Sequence, residues 1–154
     1  MNIAFLDLKG PHDELRAELS AAFDRVMNSG WYIHGTECKL FEKEFALYCQ
    51  AEHCVGVGNG LDALHLILRG YHIGAGDEVI VPSNTYIATW LAASNAGATP
   101  VPVEPDARTY NINPALIEAA ITPRTKAIMV VHLYGQPADM DAIREISGEH
   151  GLVV

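Results

Sequence analysis

The sequence predicts an α/β fold, a mostly parallel sheet with helices on both faces, and three observations predict it. From His53 onward, short runs rich in β-branched residues at Cys54–Val57, Glu78–Val81, Thr99–Val103 and Ala127–Val131 alternate with helix-like segments over 61–72, 86–95, 114–120 and 139–149. The runs are largely apolar throughout rather than alternating with polar residues, which marks strands covered on both faces. Glycine-bearing turns, Gly74-Ala75-Gly76-Asp77 and Gly97-Ala98, return the chain into its strands. At 154 residues and 49% hydrophobic, the chain is long and apolar enough to bury a sizeable core.

The first third is different in kind. Pro11–Met27 carries apolar residues at Leu15, Leu19, Ala22, Phe23 and Val26, and spacings of three and four indicate an amphipathic helix that Asn28-Ser29-Gly30 stops. Leu40, Phe41, Phe45, Leu47 and Tyr48 signal a second helix, so Trp31-Tyr32-Ile33-His34-Gly35 is a loop rich in aromatics. Hydrophobic anchoring and a ligand-facing role both stand open for it. Residues 1–52 are thus read as a helical segment with this loop, and 53–154 as the α/β part. Within the latter, Asn113-Pro114 opens one helix and Asp139 N-caps another. The closing Gly151-Leu152-Val153-Val154 reads as the start of a fifth strand, and the expectation is that the chain is the first part of a longer protein.

A net charge of -9 with no cluster of Lys or Arg gives no footprint for nucleic acid or anionic membranes, which leaves small-molecule chemistry. No run of about 18 apolar residues exists, and Met1–Leu8 lacks the basic region and cleavage site of a signal peptide, so a cytoplasmic location is expected. Cys38, Cys49 and Cys54 have no C-x-x-C spacing and read as reduced thiols. The seven histidines show no metal-ligand pattern, so no metal is expected, and His65 and His72 read as packing or surface residues.

Gly56-Val57-Gly58-Asn59-Gly60-Leu61-Asp62-Ala63-Leu64 is the most informative stretch. A glycine-rich turn opening a helix presents unpaired backbone N–H groups and the positive end of the helix dipole, an arrangement that holds an anion such as phosphate. Gly58-x-Gly60-x-x-Ala63 also satisfies a dinucleotide-binding fingerprint. That reading needs an acidic residue at the end of the next strand. The strand here ends Ile80-Val81-Pro82-Ser83-Asn84, with Glu78 at its beginning, so the NAD-binding alternative lacks its carboxylate. A Walker loop is excluded by the absence of G-K-[ST].

Four stretches in order carry a more specific signal: Gly58–Leu64; Gly76-Asp77-Glu78-Val79-Ile80-Val81-Pro82-Ser83-Asn84-Thr85-Tyr86-Ile87-Ala88-Thr89; Ala120-Ile121-Thr122-Pro123-Arg124-Thr125-Lys126-Ala127-Ile128; and Val131-His132-Leu133-Tyr134-Gly135-Gln136-Pro137-Ala138-Asp139-Met140-Asp141. Together they closely resemble the DegT/DnrJ/EryC1/StrS family of pyridoxal-phosphate-dependent sugar aminotransferases. The resemblance implies the N-terminal portion of the large domain of the aspartate-aminotransferase-like fold, called fold type I. It implies that Asn59, Gly60, Leu61 and Asp62 bind the phosphate of pyridoxal 5'-phosphate. Most members carry Ser-Gly-Thr at this turn, so Asn59-Gly60-Leu61 leaves more of the task to the N–H groups of Gly60 to Asp62. No side-chain contact from Leu61 is expected, and Asp62 stands equally as a cap of its own helix. Tyr86 corresponds to the aromatic residue that stacks on the cofactor ring, with a core tyrosine as the other reading. Asn84, Thr85, His132, Tyr134 and Gln136 follow strand ends and are candidates for lining the pocket; for the last three, packing and turn roles stay equally open. Gly30–Gly35 resembles the family's segment near the active-site mouth, which adds Tyr32 and His34 on the substrate side.

The family's cofactor-holding lysine has no counterpart here, because Lys9, Lys39, Lys43 and Lys126 stand in other contexts. The resemblance places that lysine, and the acid beside the cofactor ring, beyond residue 154, and implies that this chain alone is inactive. For the complete protein it implies transfer of an amino group from glutamate to a nucleotide-linked keto-sugar, most like a thymidine-diphosphate-linked 3-keto-6-deoxyhexose, by a homodimer. A non-catalytic ligand-binding or regulatory member of the same fold is the alternative. The resemblance further implies that the partner strand of Cys54–Val57 lies outside the chain, leaving a gap and unpaired edges in the sheet. The 154-residue chain is therefore expected to self-associate or fold poorly, and a monomeric, sharply cooperative melt of these residues would refute that expectation.

Overall fold

The computed structural model describes residues 5–154, which fall into two compact units, one ending at Gly56 and the other spanning Val57–Val154. The first unit is helical: α1 (Lys9–Glu14), α2 (Arg16–Ser29) and α3 (Thr36–Tyr48). The helix expected over 11–27 is interrupted at Leu15, whose backbone (φ −94°, ψ 6°) leaves the helical region, although Leu15 N–H still reaches Pro11 O at 3.2 Å. Gly30 ends α2 as expected, in a left-handed conformation (φ 65°) that glycine adopts without steric cost. Arg25 on α2 grips Glu37 on α3 through Nε (2.7 Å) and Nη2 (3.0 Å), fixing the helix pair across the aromatic loop.

The second unit is a three-stranded parallel sheet in the order β2 (Thr99–Val103), β1 (Glu78–Pro82), β3 (Thr125–Ile128). Val153 extends it by an isolated parallel bridge to Ala127. β1 is buried along its whole length, and its side chains divide between two cores. Val79 and Val81 face α4 (Gly60–Gly70) and α5 (Ala88–Ala96), where Leu68, Ala92, Ala93 and Ala96 close the first core. Ile80 faces the other way, toward Val103, Ile112, Ile117, Ile128 and Ile143 of α6 (Met140–His150). The small residues of α5 let that helix lie close over the strands, and Gly97 returns the chain (φ 91°) with no room for a Cβ, which would meet Ala75 N at 3.3 Å.

Several expectations need correction. Cys54–Val57 is not a strand: none of the described residues pairs with it, and Gly56 N–H donates instead to Glu42 Oε1 at 2.7 Å. The strand expected over 127–131 starts two residues earlier and ends at Ile128. Glu78 pairs with Thr125 but Val79 with Ala127, so a bulge at Lys126 takes up one residue before the ladder becomes regular. The helix expected over 114–120 is two 3₁₀ turns, Pro114–Leu116 and Glu118–Ala120. Asn113 caps the first through Ala115 N–H at 3.1 Å. Asp139 caps α6 as expected, accepting Ala142 N–H at 3.3 Å.

β2 carries Pro100 and Pro102. Thr99 N–H bonds Asp77 O (2.9 Å) and Val103 O accepts Ser83 N–H (3.0 Å), so the odd-numbered residues turn their backbone toward β1. The two prolines occupy the outward positions, where an N–H would otherwise be exposed on the sheet edge.

At the amino ends of the strands one charged cluster locks β1 to β3. The Glu78 carboxylate is 7% exposed. It accepts from Thr122 Oγ1 at 2.5 Å and Arg124 Nε at 3.0 Å, with further contacts from Arg124 Nη2 and Thr125 Oγ1. The Thr122 hydroxyl and then the Arg124 guanidinium hold the Glu78 carboxyl below the usual glutamate range. A carboxyl lowered on folding adds stability above its unfolded titration and loses it as pH falls through the folded value. Glu78→Gln is therefore expected to lower the melting temperature at neutral pH, and the gap to the parent is expected to shrink as pH falls below the usual glutamate range. A gap unchanged across that range would show that the charge is irrelevant.

Candidate functional site

The glycine-rich turn is organised by a reciprocal pair. Asn59, in extended backbone (φ −168°, ψ 175°), is the N-cap of α4. Its Oδ1 accepts Asp62 N–H at 2.9 Å, and its Nδ2 donates to Asp62 Oδ2 at 3.0 Å. Gly58 lies close beneath them: a Cβ there would stand 2.8 Å from Asp62 Oδ2 and the carboxylate would have to shift. Ala63 N–H goes back to Asn59 O at 3.1 Å. Gly60 and Leu61 N–H therefore remain as donors without a partner among the described residues, at the positive end of an eleven-residue helix. Of the three backbone donors expected here, Asp62's is spent on the cap. The Leu61 side chain packs against the first core. No heavy atom lies within 4 Å of a Cβ built on Gly60, so the approach to the two donors is open.

The loops that leave the carboxyl ends of the strands carry the other candidates of this unit. After β1, Thr85 Oγ1 is 3.4 Å from Pro82 O, Asn84 Nδ2 donates to Tyr110 O at 3.0 Å, and Tyr86 stands 80% exposed. Tyr86 takes no part in either core of the described residues. After β3, His132 Nδ1 accepts Ala138 N–H at 3.1 Å, a turn-forming bond that puts the proton of the neutral ring on Nε2. Tyr134 is 84% exposed with a left-handed backbone (φ 57°) and meets Tyr110 edge-on, ring centroids 6.4 Å apart. Gln136 is exposed, with its backbone N–H on Leu133 O.

In the first unit, Tyr32 and His34 belong to a loop braced by Trp31 Nε1, which donates to Ile33 O at 2.6 Å. Both are exposed, and His34 takes a left-handed backbone (φ 51°). They line a hollow of about 310 Å³ with Arg25, Ser29 and Thr36. Sequence reasoning passed over Tyr110 and Asn111, which brace the strand-end loops; nothing in Thr109-Tyr110-Asn111-Ile112 distinguishes them from an ordinary turn. Glu118, Glu149 and His150 bring ligand atoms within 4.8 Å of one another, and all three are exposed.

Parallel strands with α4 and α5 over one face, a helix opening on free N–H donors and exposed aromatics on the strand-end loops define an α/β protein of the class that binds ligands beyond the carboxyl ends of its strands. Residues 13–154 match the DegT/DnrJ/EryC1/StrS aminotransferase family, and the chain belongs to it. It is 61% identical over 150 residues to the dTDP-3-amino-3,4,6-trideoxy-alpha-D-glucose transaminase of Streptomyces venezuelae, covering 97% of this chain and 40% of the relative. It is 60% identical over 152 residues to the dTDP-3-amino-3,6-dideoxy-alpha-D-galactopyranose transaminase of Aneurinibacillus thermoaerophilus, covering 99% and 42%. The crystal structure of S. venezuelae DesV in complex with a ketimine intermediate superposes with a TM-score of 0.94 at 61% identity, over 97% of this chain and 40% of that one. The fold is thus the N-terminal part of a fold type I transferase, and the chain spans about two-fifths of the length of these relatives.

Removing the cap tests how the turn is held. Asn59→Ala is expected to cost about 1 kcal/mol of stability, read from chemical denaturation, and an unchanged midpoint would mean that Asn59 does not cap α4.

Proposed function

We propose that the complete protein is a pyridoxal 5'-phosphate-dependent aminotransferase that moves an amino group from glutamate to a nucleotide-linked keto-sugar, in the cytoplasm and as a homodimer. The observation that carries this reading is the pair of free N–H donors of Gly60 and Leu61, at an uncrowded helix amino end that suits a phosphate. Family membership supplies the chemistry such a phosphate anchors, since family members use this cofactor. When bound, it would act as the electron sink for the exchange of amino groups. Gly60 and Leu61 would hold the phosphate through their backbone, Asn59 and Asp62 would keep that backbone in place, and Tyr86 would cover the ring. The names of two relatives at 60% identity or more support a dTDP-linked 3-keto-6-deoxyhexose as acceptor. The sugars in those two names differ at C4, deoxygenated in the first and hydroxylated in the second, and the acceptor is proposed at the level that they share.

Among the described residues no helix is long and apolar enough to cross a membrane. The dinucleotide alternative loses ground, because Glu78, the one acidic residue of β1, is consumed in the cluster at the opposite end of the strand. Tyr32 and His34 of the aromatic loop are proposed as substrate-side residues, on the resemblance of Gly30–Gly35 to the family's segment.

The test is the absorbance of the protein at its natural length after incubation with pyridoxal phosphate and then glutamate. A band near about 400–430 nm that moves to about 330 nm on adding glutamate is the expected outcome. No band in a folded sample would overturn the catalytic reading and favour a binding role.

A further inference from the structure

The segments that leave β2 and β3 are tied together by one buried side chain. Asn111 is 3% exposed. Its carboxamide spends three bonds on a single neighbouring stretch: Nδ2 donates to the carbonyls of Gln136 (3.0 Å) and Pro137 (3.2 Å), and Oδ1 accepts Leu133 N–H (2.9 Å). Only this orientation of the amide works, since a flip would set oxygen against two carbonyls and the amino group against an N–H. Asn111 is held in turn, its carbonyl accepting Asp106 N–H at 2.9 Å and its N–H reaching Thr109 Oγ1 at 3.3 Å. Asn84 joins from the end of β1 through Tyr110 O. The carboxyl ends of all three strands thus share one hydrogen-bonded chain, with Asn111 at its centre.

Between the backbone groups that Asn111 grips stands Tyr134. A left-handed backbone at a bulky residue is unfavourable and persists where its surroundings over-determine it. Asn111 is that surrounding, fixing Leu133 on one side and Gln136 and Pro137 on the other. Tyr110, next to Asn111, is left-handed as well (φ 60°), 55% exposed, and braces Tyr134 edge-on. Two tyrosines kept in unfavourable backbone and left largely exposed gain nothing from core packing, and strain held at exposed aromatics marks a surface that meets something else.

We propose that Asn111 is a positioning residue for the acceptor side of the reaction, holding segment 132–137 so that Tyr134, backed by Tyr110, is presented to the nucleotide-linked sugar. The inference rests on the function proposed above.

The test uses the protein at its natural length, loaded with pyridoxal phosphate, and the variants Asn111→Asp, Tyr134→Gly and both together. Asn111→Asp keeps the shape and the acceptor for Leu133 N–H but replaces both donors with oxygen. Tyr134→Gly removes the aromatic at a position whose backbone suits glycine. Three quantities are read: amide exchange across 131–138, the half-reaction with glutamate, and the reverse half-reaction with dTDP-3-amino-3,6-dideoxy-α-D-galactopyranose and its gluco counterpart. Asn111→Asp is expected to speed exchange across 131–138, to raise the amino-sugar concentration at half-saturation roughly tenfold to a hundredfold, and to leave the glutamate half-reaction unchanged. Combined with Tyr134→Gly it should add nothing to the loss that Tyr134→Gly causes alone, because both act through one side chain. Additive losses, an unchanged amino-sugar dependence, or equal loss in both half-reactions would overturn the positioning role. Should Asn111→Asp not fold, Tyr134→Gly decides alone, and an amino-sugar dependence equal to the parent's overturns it. Failure of the parent protein with glutamate and with both amino sugars would instead overturn the proposed function, and this inference with it.

Discussion

The α/β unit depends on burying β1 completely. A strand paired on both edges and covered on both faces can display only apolar side chains to either side, and Val79, Ile80 and Val81 meet that demand with no exposed surface. What surrounds β1 follows from it. The helix over Val79 and Val81 must come close, which the alanines of α5 permit, while the other face is filled by isoleucines from four separate segments. Glu78, the one charge on the strand, is tolerated because Thr122, Arg124 and Thr125 satisfy its oxygens.

The two ends of the sheet are consequently unlike. At the amino ends, polar side chains turn inward and bond each other until little is left unsatisfied. At the carboxyl ends, side chains are spent on holding backbone: Asn59 on Asp62, Asn84 on Tyr110, His132 on Ala138, Asn111 on the stretch after Leu133. Asparagine recurs there because its amide both donates and accepts, so one short side chain can lock a turn from within. The groups left over, two backbone N–H donors and a set of exposed aromatic rings, are the ones available to a ligand.

The architecture was largely legible from residues 78–154, where continuous apolar runs and glycine turns leave little choice of element. β2 lies at the expected residues, and the starts of the 3₁₀ stretch and of α6 were marked by Asn113-Pro114 and Asp139. Cys54–Val57 misled because strand character in sequence states only a preference; without a neighbour to accept its hydrogen bonds the segment is extended but unpaired. The bulge at Lys126 was invisible because it arises from pairing with Glu78 and not from any local signal. At the candidate site, the glycine turn reads as an anion cradle, yet the division of labour within it, with Asp62 N–H consumed and Gly60 and Leu61 N–H free, required coordinates. Asn111 escaped notice for a similar reason: its bonds reach across more than twenty residues of chain.

The prolines of β2 give the sheet a sense of direction. Pro100 and Pro102 stand where the outer edge would otherwise offer N–H groups, so no further strand can form a regular ladder there. β3, on the other side of β1, carries no proline, and Val153 already adds a parallel bridge to its Ala127. Extension of the sheet is thus one-sided: the β3 margin accepts a further strand and the β2 margin refuses one.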